Sequence, residues 1–366
     1  MISTPDRCAI LAEVLSGFPE LGLITSDSLL NLIQTELGSP LVLDGFVNLT
    51  GHSKVMAKGP GTILHVISGN VAQPGLLSLT FGLILKAHNL VKLPSHGNDR
   101  IIDFINKLPE PFSSSLEIVT HTNPEIIAKA DVVIVYGNEE TINHFQRVTF
   151  GKKALLYGPK LSYGIIFSEE QTKSIYEDAA RDASVYNQQG CLSPHVFYVQ
   201  ENGPDSPRAF AEKLAAAMDQ FALLNPPTPL SLAESSAVVN LRSAYRFRAA
   251  NDPRVLIFES KKPVDWTVIF EEESQFATSC LNRTIFVKPF VSIPDLVKAT
   301  ELVRPYLSTI GCAPLTSLTR DDALCLAATR YCPIGKMQQP PLTWHHDGRP
   351  NLADLVTWID IESTPN

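Results

Sequence analysis

The 366-residue sequence lacks a long apolar run, lacks any block of positive charge and lacks a closely spaced cysteine pair, and each absence removes a class of function. No stretch reaches the roughly 18 uninterrupted apolar residues that a membrane span requires. The N-terminus, MISTPDRCAI, has no basic region leading into an apolar segment, so no secretory leader is expected and the chain reads as cytoplasmic. Lysine and arginine are scattered and the formal net charge is −8, which argues against nucleic acid or an anionic membrane as partner. A phosphorylated small molecule, which needs only a local site, stays allowed. The six cysteines (Cys8, Cys191, Cys280, Cys312, Cys325 and Cys332) include no CxxC pair, so neither a disulfide framework nor a zinc site is indicated. What is present is ordinary globular composition, 44% hydrophobic and 19% charged, in a chain long enough for roughly two domains.

The first 60 residues predict two short helices, Arg7 to Ser16 and Ser28 to Leu37, the second stopped by Gly38 and Pro40, as a helical cap or entry segment over 1–60. From Thr62 the rhythm changes. Apolar runs without a polar face, at Ile63 to Ser68, Asn89 to Ser95, Leu116 to His121, Asp131 to Tyr136, Ala154 to Tyr157 and Tyr163 to Phe167, alternate with helical patterns and end in a long helix from Glu169 to about Gln188. Such strands between helices predict a doubly wound parallel sheet of the Rossmann type, a nucleotide-binding domain over 61–188. After Val199 the elements are less regular and predict a second α/β domain, the catalytic one, over 189–345, followed by a tail over 346–366.

The chain is organised around residues 184–200, SVYNQQGCLSPHVFYVQ. Cys191 follows a polar pair and a glycine and precedes Leu192-Ser193-Pro194, beyond which Val196 to Val199 predicts a buried strand. Gly190 removes bulk beside the sulfur and Pro194 stops a helix from continuing, so backbone N–H groups near Cys191 can face a bound carbonyl at a domain junction. The plainer reading of a lone cysteine, a small packing residue, is the one given to the other five. In a doubly wound sheet the carboxyl ends of the strands form the ligand crevice. That edge singles out Gly69 and Asn70, Lys92 and Ser95, Gly137 and Asn138, and Gly158 with Lys160, although the first turn does not spell GxGxxG and is also readable as a plain tight turn. His345-His346-Asp347 invites a metal, but adjacent side chains on an extended segment point apart, so no metal is expected and one histidine is expected at the mouth of the active site.

Taken together, GNVAQPG, the LVKLPS strand end, VVIVYGNEETINHF, LLYGPKLSYGIIF, QQGCLSP and PPLTWHHDGR resemble the bacterial fatty acyl-thioester reductases, the aldehyde-forming component that accompanies bacterial luciferase, within the aldehyde dehydrogenase superfamily. The resemblance runs from about residue 60 to the C-terminus. It implies an aldehyde-dehydrogenase-like α/β fold, NADPH as cofactor and an acyl-CoA or carrier-bound thioester as substrate. An acyl-transferase or synthetase partner and a homo-oligomer are compatible with it. It also implies roles. Cys191 falls on the nucleophile and Asn70 on the asparagine whose amide, with a backbone N–H at the cysteine, forms the oxyanion hole. Lys92 and Ser95 fall where the superfamily holds the adenosine ribose; a glutamate at the later position would repel a 2′-phosphate, and Ser95, with His96 and Arg100 nearby, permits NADPH. His346 is the expected proton donor.

One departure is informative. Aldehyde-oxidising members carry E-L-G-G-K, whose glutamate activates water, and here the matching segment is Leu156-Tyr157-Gly158-Pro159-Lys160. Leucine in the place of that base slows hydrolysis of an acyl-cysteine and leaves it for hydride. The expected activity is therefore NADPH-dependent reduction of an acyl thioester to an aldehyde. Reduction of an acyl phosphate, or cysteine-based acyl transfer without hydride, are the alternatives.

Overall fold

The computed structural model describes residues 2–49, 53–169 and 173–362. The chain divides into two compact units, residues 1–159 with 341–366, and residues 160–340.

The first unit opens with α1 (Thr4–Leu15) and α2 (Ser26–Leu37). Ser3 caps α1 by accepting from the Asp6 N–H, Thr25 and Ser28 form a capping box on α2, and Gly38, at φ 81°, ends it. Their inner faces bury Cys8, Leu11, Leu15, Leu29, Leu32 and Ile33. Two strands follow, β1 (Val47–Asn48) and β2 (Ser53–Lys58), which the helical-cap reading of residues 1–60 omitted. Then come β3 (Thr62–Val66), α3 (Gln73–Ile84), β4 (His88–Lys92), α4 (Asp99–Lys107), β5 (Leu116–Val119), α5 (Pro124–Lys129), β6 (Val132–Tyr136), α6 (Glu139–Val148) and β7 (Lys153–Tyr157). The five strands form one parallel sheet in the order β5-β4-β3-β6-β7. The order reverses beside β3, which is where a doubly wound sheet opens its ligand crevice. In register, Val66 stands opposite Lys92 and Val135, and Tyr136 opposite Tyr157, so the strand ends share one edge.

The second unit comprises β8 (Leu161–Ile166), α7 (Lys173–Ser184), β9 (Pro194–Gln200), α8 (Pro207–Leu224), α9 (Leu232–Asn251), β10 (Val255–Glu259), β11 (Thr267–Glu271), β12 (Thr284–Phe290), α10 (Ile293–Ala299), β13 (Leu307–Ala313), α11 (Arg320–Leu326) and β14 (Arg330–Pro333). They make a seven-stranded sheet ordered β10-β11-β12-β9-β8-β13-β14, antiparallel at β10–β11 and parallel elsewhere. Val196 and Tyr198 face one core while Phe197 and Val199 face the other, as expected of a strand buried on both sides. The final strand, β15 (Thr357–Glu362), belongs to the first unit, where it pairs antiparallel with β2 and is exposed along its length.

The division differs from the boundaries read in the sequence. The strand at Tyr163 to Phe167 and the helix after it were expected in the nucleotide-binding sheet; instead β8 hydrogen-bonds between β9 and β13, and α7 packs on α8. An apolar strand run carries no mark of which sheet it will join. The expected helix start at Glu169 falls partly on residues 170–172, outside the described residues. Cys191 therefore sits between α7 and β9 inside the second unit, not at the junction. The expected tail is part of the first unit, since the Glu36 carboxylate on α2 accepts the N–H groups of Asn351, Leu352 and Ala353 at 2.9, 2.6 and 3.0 Å. Among the described residues no helix is long and apolar enough to cross a membrane.

Candidate active site

In the second unit the chain enters the Cys191 loop through backbone that L-residues avoid. Tyr186, Asn187 and Gln188 lie at φ 54°, 50° and 63°, and Leu281, Asn282 and Arg283, just ahead of β12, at 64°, 55° and 58°. A non-glycine residue held there costs on the order of 1–3 kcal/mol and persists only where its surroundings over-determine it. The two left-handed runs are tied to each other. The Asn282 N–H donates to the Asn187 carbonyl at 3.0 Å, and Gln189 Nε2 donates to Asn282 Oδ1 at 2.9 Å. Gln188, fully buried, makes three bonds: its Oε1 accepts from the Thr284 N–H at 2.8 Å, and its Nε2 donates to the carbonyls of Thr284 and Pro194 at 2.8 and 2.7 Å. Asn187 Nδ2 donates to the Thr228 hydroxyl. The QQ pair that reads as merely polar in the sequence is the staple of this loop.

Beyond the staple, Ser193 N–H returns to the Gly190 carbonyl at 3.0 Å, and Ser162 on β8 donates its hydroxyl to the Cys191 carbonyl at 2.8 Å. Cys191 itself is half-buried. The other cysteines differ from it. Cys8, Cys312 and Cys332 are buried, and burial pushes their thiols up, to about 12 for Cys8 and about 11 for Cys332. Cys280 is half-buried and its thiol is likewise raised by burial. Cys325 is a correction, because it was read as packing and is exposed on α11. In the acidic run Glu271 to Glu273, Glu271 is buried and receives Lys288 Nζ and Arg248 Nη1, each at 2.7 Å.

In the first unit the residues singled out by position gather on the carboxyl edge of the parallel sheet. Gly69 and Asn70 follow β3, Lys92 ends β4, Ser95 follows it, Gly137 and Asn138 follow β6, and Gly158 follows β7. The turns after β3 and β4 touch backbone to backbone, since a Cβ on Gly69 would lie 2.1 Å from the His96 carbonyl oxygen and one on Gly97, at φ 72°, 2.2 Å from that of Gly69. Asn70 and Ser95 are exposed on this edge. Lys92 Nζ donates to the Leu93 carbonyl at 2.7 Å. Asn138 has a local task as well, capping α6 by accepting from the Thr141 N–H at 2.9 Å. Arg100 is held by both Glu20 oxygens at 2.6 and 2.7 Å and lies 4.6 Å over the Phe18 ring. Lys160 falls in the second unit.

The C-terminal segment brings a histidine to the same edge. Asp347 and Gly348, at φ 51° and 80°, form a two-residue turn closed by the His346–Arg349 bridge, which Asp-Gly suits. His345 is exposed, whereas His346 turns inward and stacks on Tyr157 at 4.6 Å, on Trp344 at 4.9 Å and on Tyr136 at 5.8 Å. Tyr136 and Tyr157 end β6 and β7, so the ring lies over the strand ends that carry Gly137 and Gly158. Burial pushes the Tyr157 hydroxyl up to about 12, which keeps it a neutral partner for the stack.

A sequence model of the family described as acyl-CoA reductase (LuxC) matches residues 20–358. The chain is 24% identical over 359 residues to a long-chain acyl-protein thioester reductase of Aliivibrio fischeri, covering 93% of this chain and 72% of that protein. It is 26% identical over 373 residues to the Photorhabdus luminescens protein of the same name, covering 96% and 74%. Among solved structures, an aldehyde dehydrogenase from Bacillus cereus in complex with NAD+ matches with a TM-score of 0.69 at 12% identity, over 98% of this chain and 84% of that one. A benzaldehyde dehydrogenase from Corynebacterium glutamicum matches at 0.65 and 12%, over 99% and 86%. At such identities the likeness to these structures is one of fold, and the fold is the aldehyde dehydrogenase one.

Proposed function

This chain belongs to the acyl-CoA reductase (LuxC) family, and from that premise we propose that it uses NADPH to reduce a fatty acyl thioester to an aldehyde through an acyl group carried on Cys191. The observation that carries the reading is the thiol loop. Six left-handed residues are held in place by buried glutamine and asparagine side chains beside the half-exposed Cys191, while Cys8, Cys312 and Cys332 are buried and held as neutral thiols and the half-buried Cys280 is also raised by burial. Strain maintained at that cost beside a nucleophilic residue type is the mark of a site.

Cys191 attacks the thioester carbonyl, and the thiol of CoA or of a carrier leaves with the acyl group now on sulfur. A backbone N–H at the cysteine holds the negative oxygen of the tetrahedral stage, a task that the family resemblance also gives to the Asn70 amide. Hydride on the acyl-cysteine carbonyl gives a tetrahedral oxyanion that collapses to aldehyde and the Cys191 thiolate, and the one proton the reaction consumes goes to the departing thiol, with His346 as the donor in this reading. Leu156, in the place of a general base, leaves water unassisted. The first unit suits a dinucleotide, because its strand order reverses at β3, Asn70 and Ser95 are exposed on the carboxyl edge, and Ala72, which heads α3, has no side chain to cap the helix N–H groups. Gly69, Lys92, Ser95, Gly137, Asn138 and Gly158 would line it, with Lys160 continuing the chain into the second unit. Ser95 leaves room for a 2′-phosphate, while Arg100 would have to leave Glu20 to reach one. A bound nicotinamide supplies the hydride. The setting is the cytoplasm, with an acyl-transferase or synthetase as the partner that delivers the acyl group. Cys191→Ala, incubated with a long-chain acyl-CoA and NADPH, should form no trapped aldehyde while still quenching on NADPH addition; aldehyde at the wild-type rate would overturn the assignment.

A further inference from the structure

Two buried, oppositely charged side chains of the second unit have no role in the chemistry above. Asp182 on α7 is 1% exposed, and Arg330, the first residue of β14, is 7% exposed. Burying such groups is costly unless their hydrogen-bonding capacity is filled. Both direct it at one turn, residues 334–338. Asp182 Oδ2 accepts from the Gly335 N–H at 2.5 Å and Oδ1 from the Met337 N–H at 3.2 Å. Arg330 donates Nη1 to the Met337 carbonyl at 2.7 Å and Nη2 to the Lys336 carbonyl at 2.8 Å. The carboxylate thus takes the N–H groups of Gly335 and Met337 and the guanidinium the carbonyls of Lys336 and Met337. Gly335 lies at φ 88°, so the turn is built for this fit.

The clamped turn leads to the thiol by two routes. Gln338 Nε2 donates to the Ser193 hydroxyl at 3.0 Å, two residues from Cys191. Along the sheet, Arg330 pairs in register with Thr309, the Thr309 N–H donates to Ser162 Oγ at 3.2 Å, and that hydroxyl donates to the Cys191 carbonyl. The groups facing Arg330 are Cys332 on its own strand, which burial holds as a neutral thiol, Asp182 on α7 and Cys191 on the loop, the last two supporting its charge against burial. Those acting on Asp182 are Asp178 and Arg181 on its own helix, beside the two N–H donors, and it acts in turn on Arg330 and Cys332.

We infer that Asp182 and Arg330 are positioning residues for Cys191: Arg330 provides a fixed buried positive charge that favours the thiolate, and Asp182 holds the turn that seats both Arg330 and Gln338. The inference rests on Cys191 as the nucleophile. A cation near a cysteine lowers its pKa and raises the reactive fraction at neutral pH. Burial pushes the Asp182 carboxyl up to about 7, so its grip on the two N–H groups strengthens as the pH rises through neutrality.

The test follows iodoacetamide alkylation of Cys191 against pH, read on its peptide by mass, with kcat and KM for a long-chain acyl-CoA measured alongside. Arg330→Met should move the alkylation midpoint up by about one unit, making labelling about tenfold slower below it, and Arg330→Lys should restore most of the shift. Asp182→Asn should lower kcat several-fold at unchanged KM. A folded Arg330→Met with the wild-type midpoint overturns the inference. If that variant does not fold, unchanged midpoint and kcat in both Asp182→Asn and Gln338→Leu overturn it instead. Cys191→Ala separates the two readings: turnover in that variant sinks the proposed function and this inference with it, whereas a dead Cys191→Ala beside an unaltered Arg330→Met sinks this inference alone.

Discussion

Replacing Gln188 with leucine removes the staple between the two left-handed runs without changing the side chain's bulk greatly. Three hydrogen bonds are lost, each worth about 1 kcal/mol net, while the Thr284 N–H keeps its second acceptor, the Leu281 carbonyl at 3.2 Å. Part of this returns as strain released from residues 186–188 and 281–283. A net destabilisation of about 2 kcal/mol follows, which for a unit of this size lowers its Tm by roughly 4–8 °C. Gln188→Glu keeps the Oε1 acceptor and loses both donors, so it should fall between wild type and Gln188→Leu. The effect on the thiol should exceed the effect on stability: at a temperature where the variant is fully folded, kcat should drop at least tenfold while NADPH binding is retained. Urea denaturation paired with acyl-CoA reduction assays reads both. A Gln188→Leu protein within about 0.5 kcal/mol of wild type and at full kcat would refute the claim that this loop is held under strain for catalysis.

Four further outcomes are expected. His65, bonded to Ser78 and Asn89, and His195, which accepts from the Ser279 N–H, are both pushed down to about 4 by burial. Each contributes stability that is complete above pH 6.5 and is lost as the pH falls toward 4, about 3 kcal/mol per histidine, so urea midpoints that stay flat over that range would contradict it. Ser95→Glu should reverse or erase a preference for NADPH over NADH in kcat/KM, and an unchanged ratio would remove this strand end from the ribose site. His346→Phe preserves the stack on Tyr157 but not the proton, so kcat should fall about 10²-fold with Tm unchanged; a fully active variant would make the ring a spacer. Iodoacetamide should label both Cys191 and the exposed Cys325 and spare Cys8, Cys312 and Cys332 in the folded protein, as peptide mass mapping will show.

The parallel sheet was legible because most of its strands are apolar runs and two of its helices start on side-chain caps, α5 on Asn123 and α6 on Asn138; α6 runs from Glu139 to Val148 as its pattern indicates. The positions at the carboxyl edge followed from that topology alone. Less legible was everything set by long-range pairing. Nothing local to Tyr163 to Phe167 says that β8 leaves the first sheet for the second, and TWIDIE alternates well enough for a strand but gives no hint that its partner is β2, some 300 residues earlier. The same holds for function-bearing polar groups. Gln188, Ser162, Asp182 and Arg330 are ordinary letters in the sequence, and their weight comes from burial and from partners distant in the chain. Arg100 shows the converse, since proximity in sequence suggested a free cation and Glu20 holds it.

The central claim is that Cys191 carries the acyl group and that hydride, not water, removes it. Intact-protein mass spectrometry after mixing with a long-chain acyl-CoA and no NADPH addresses it directly. The account predicts a mass gain of one acyl group, mapped to Cys191, that outlasts a normal turnover by roughly 10²–10⁴-fold because Leu156 offers water no base, and that disappears with release of aldehyde once NADPH is added. No adduct, an adduct on another residue, or prompt release of free fatty acid without NADPH would contradict it.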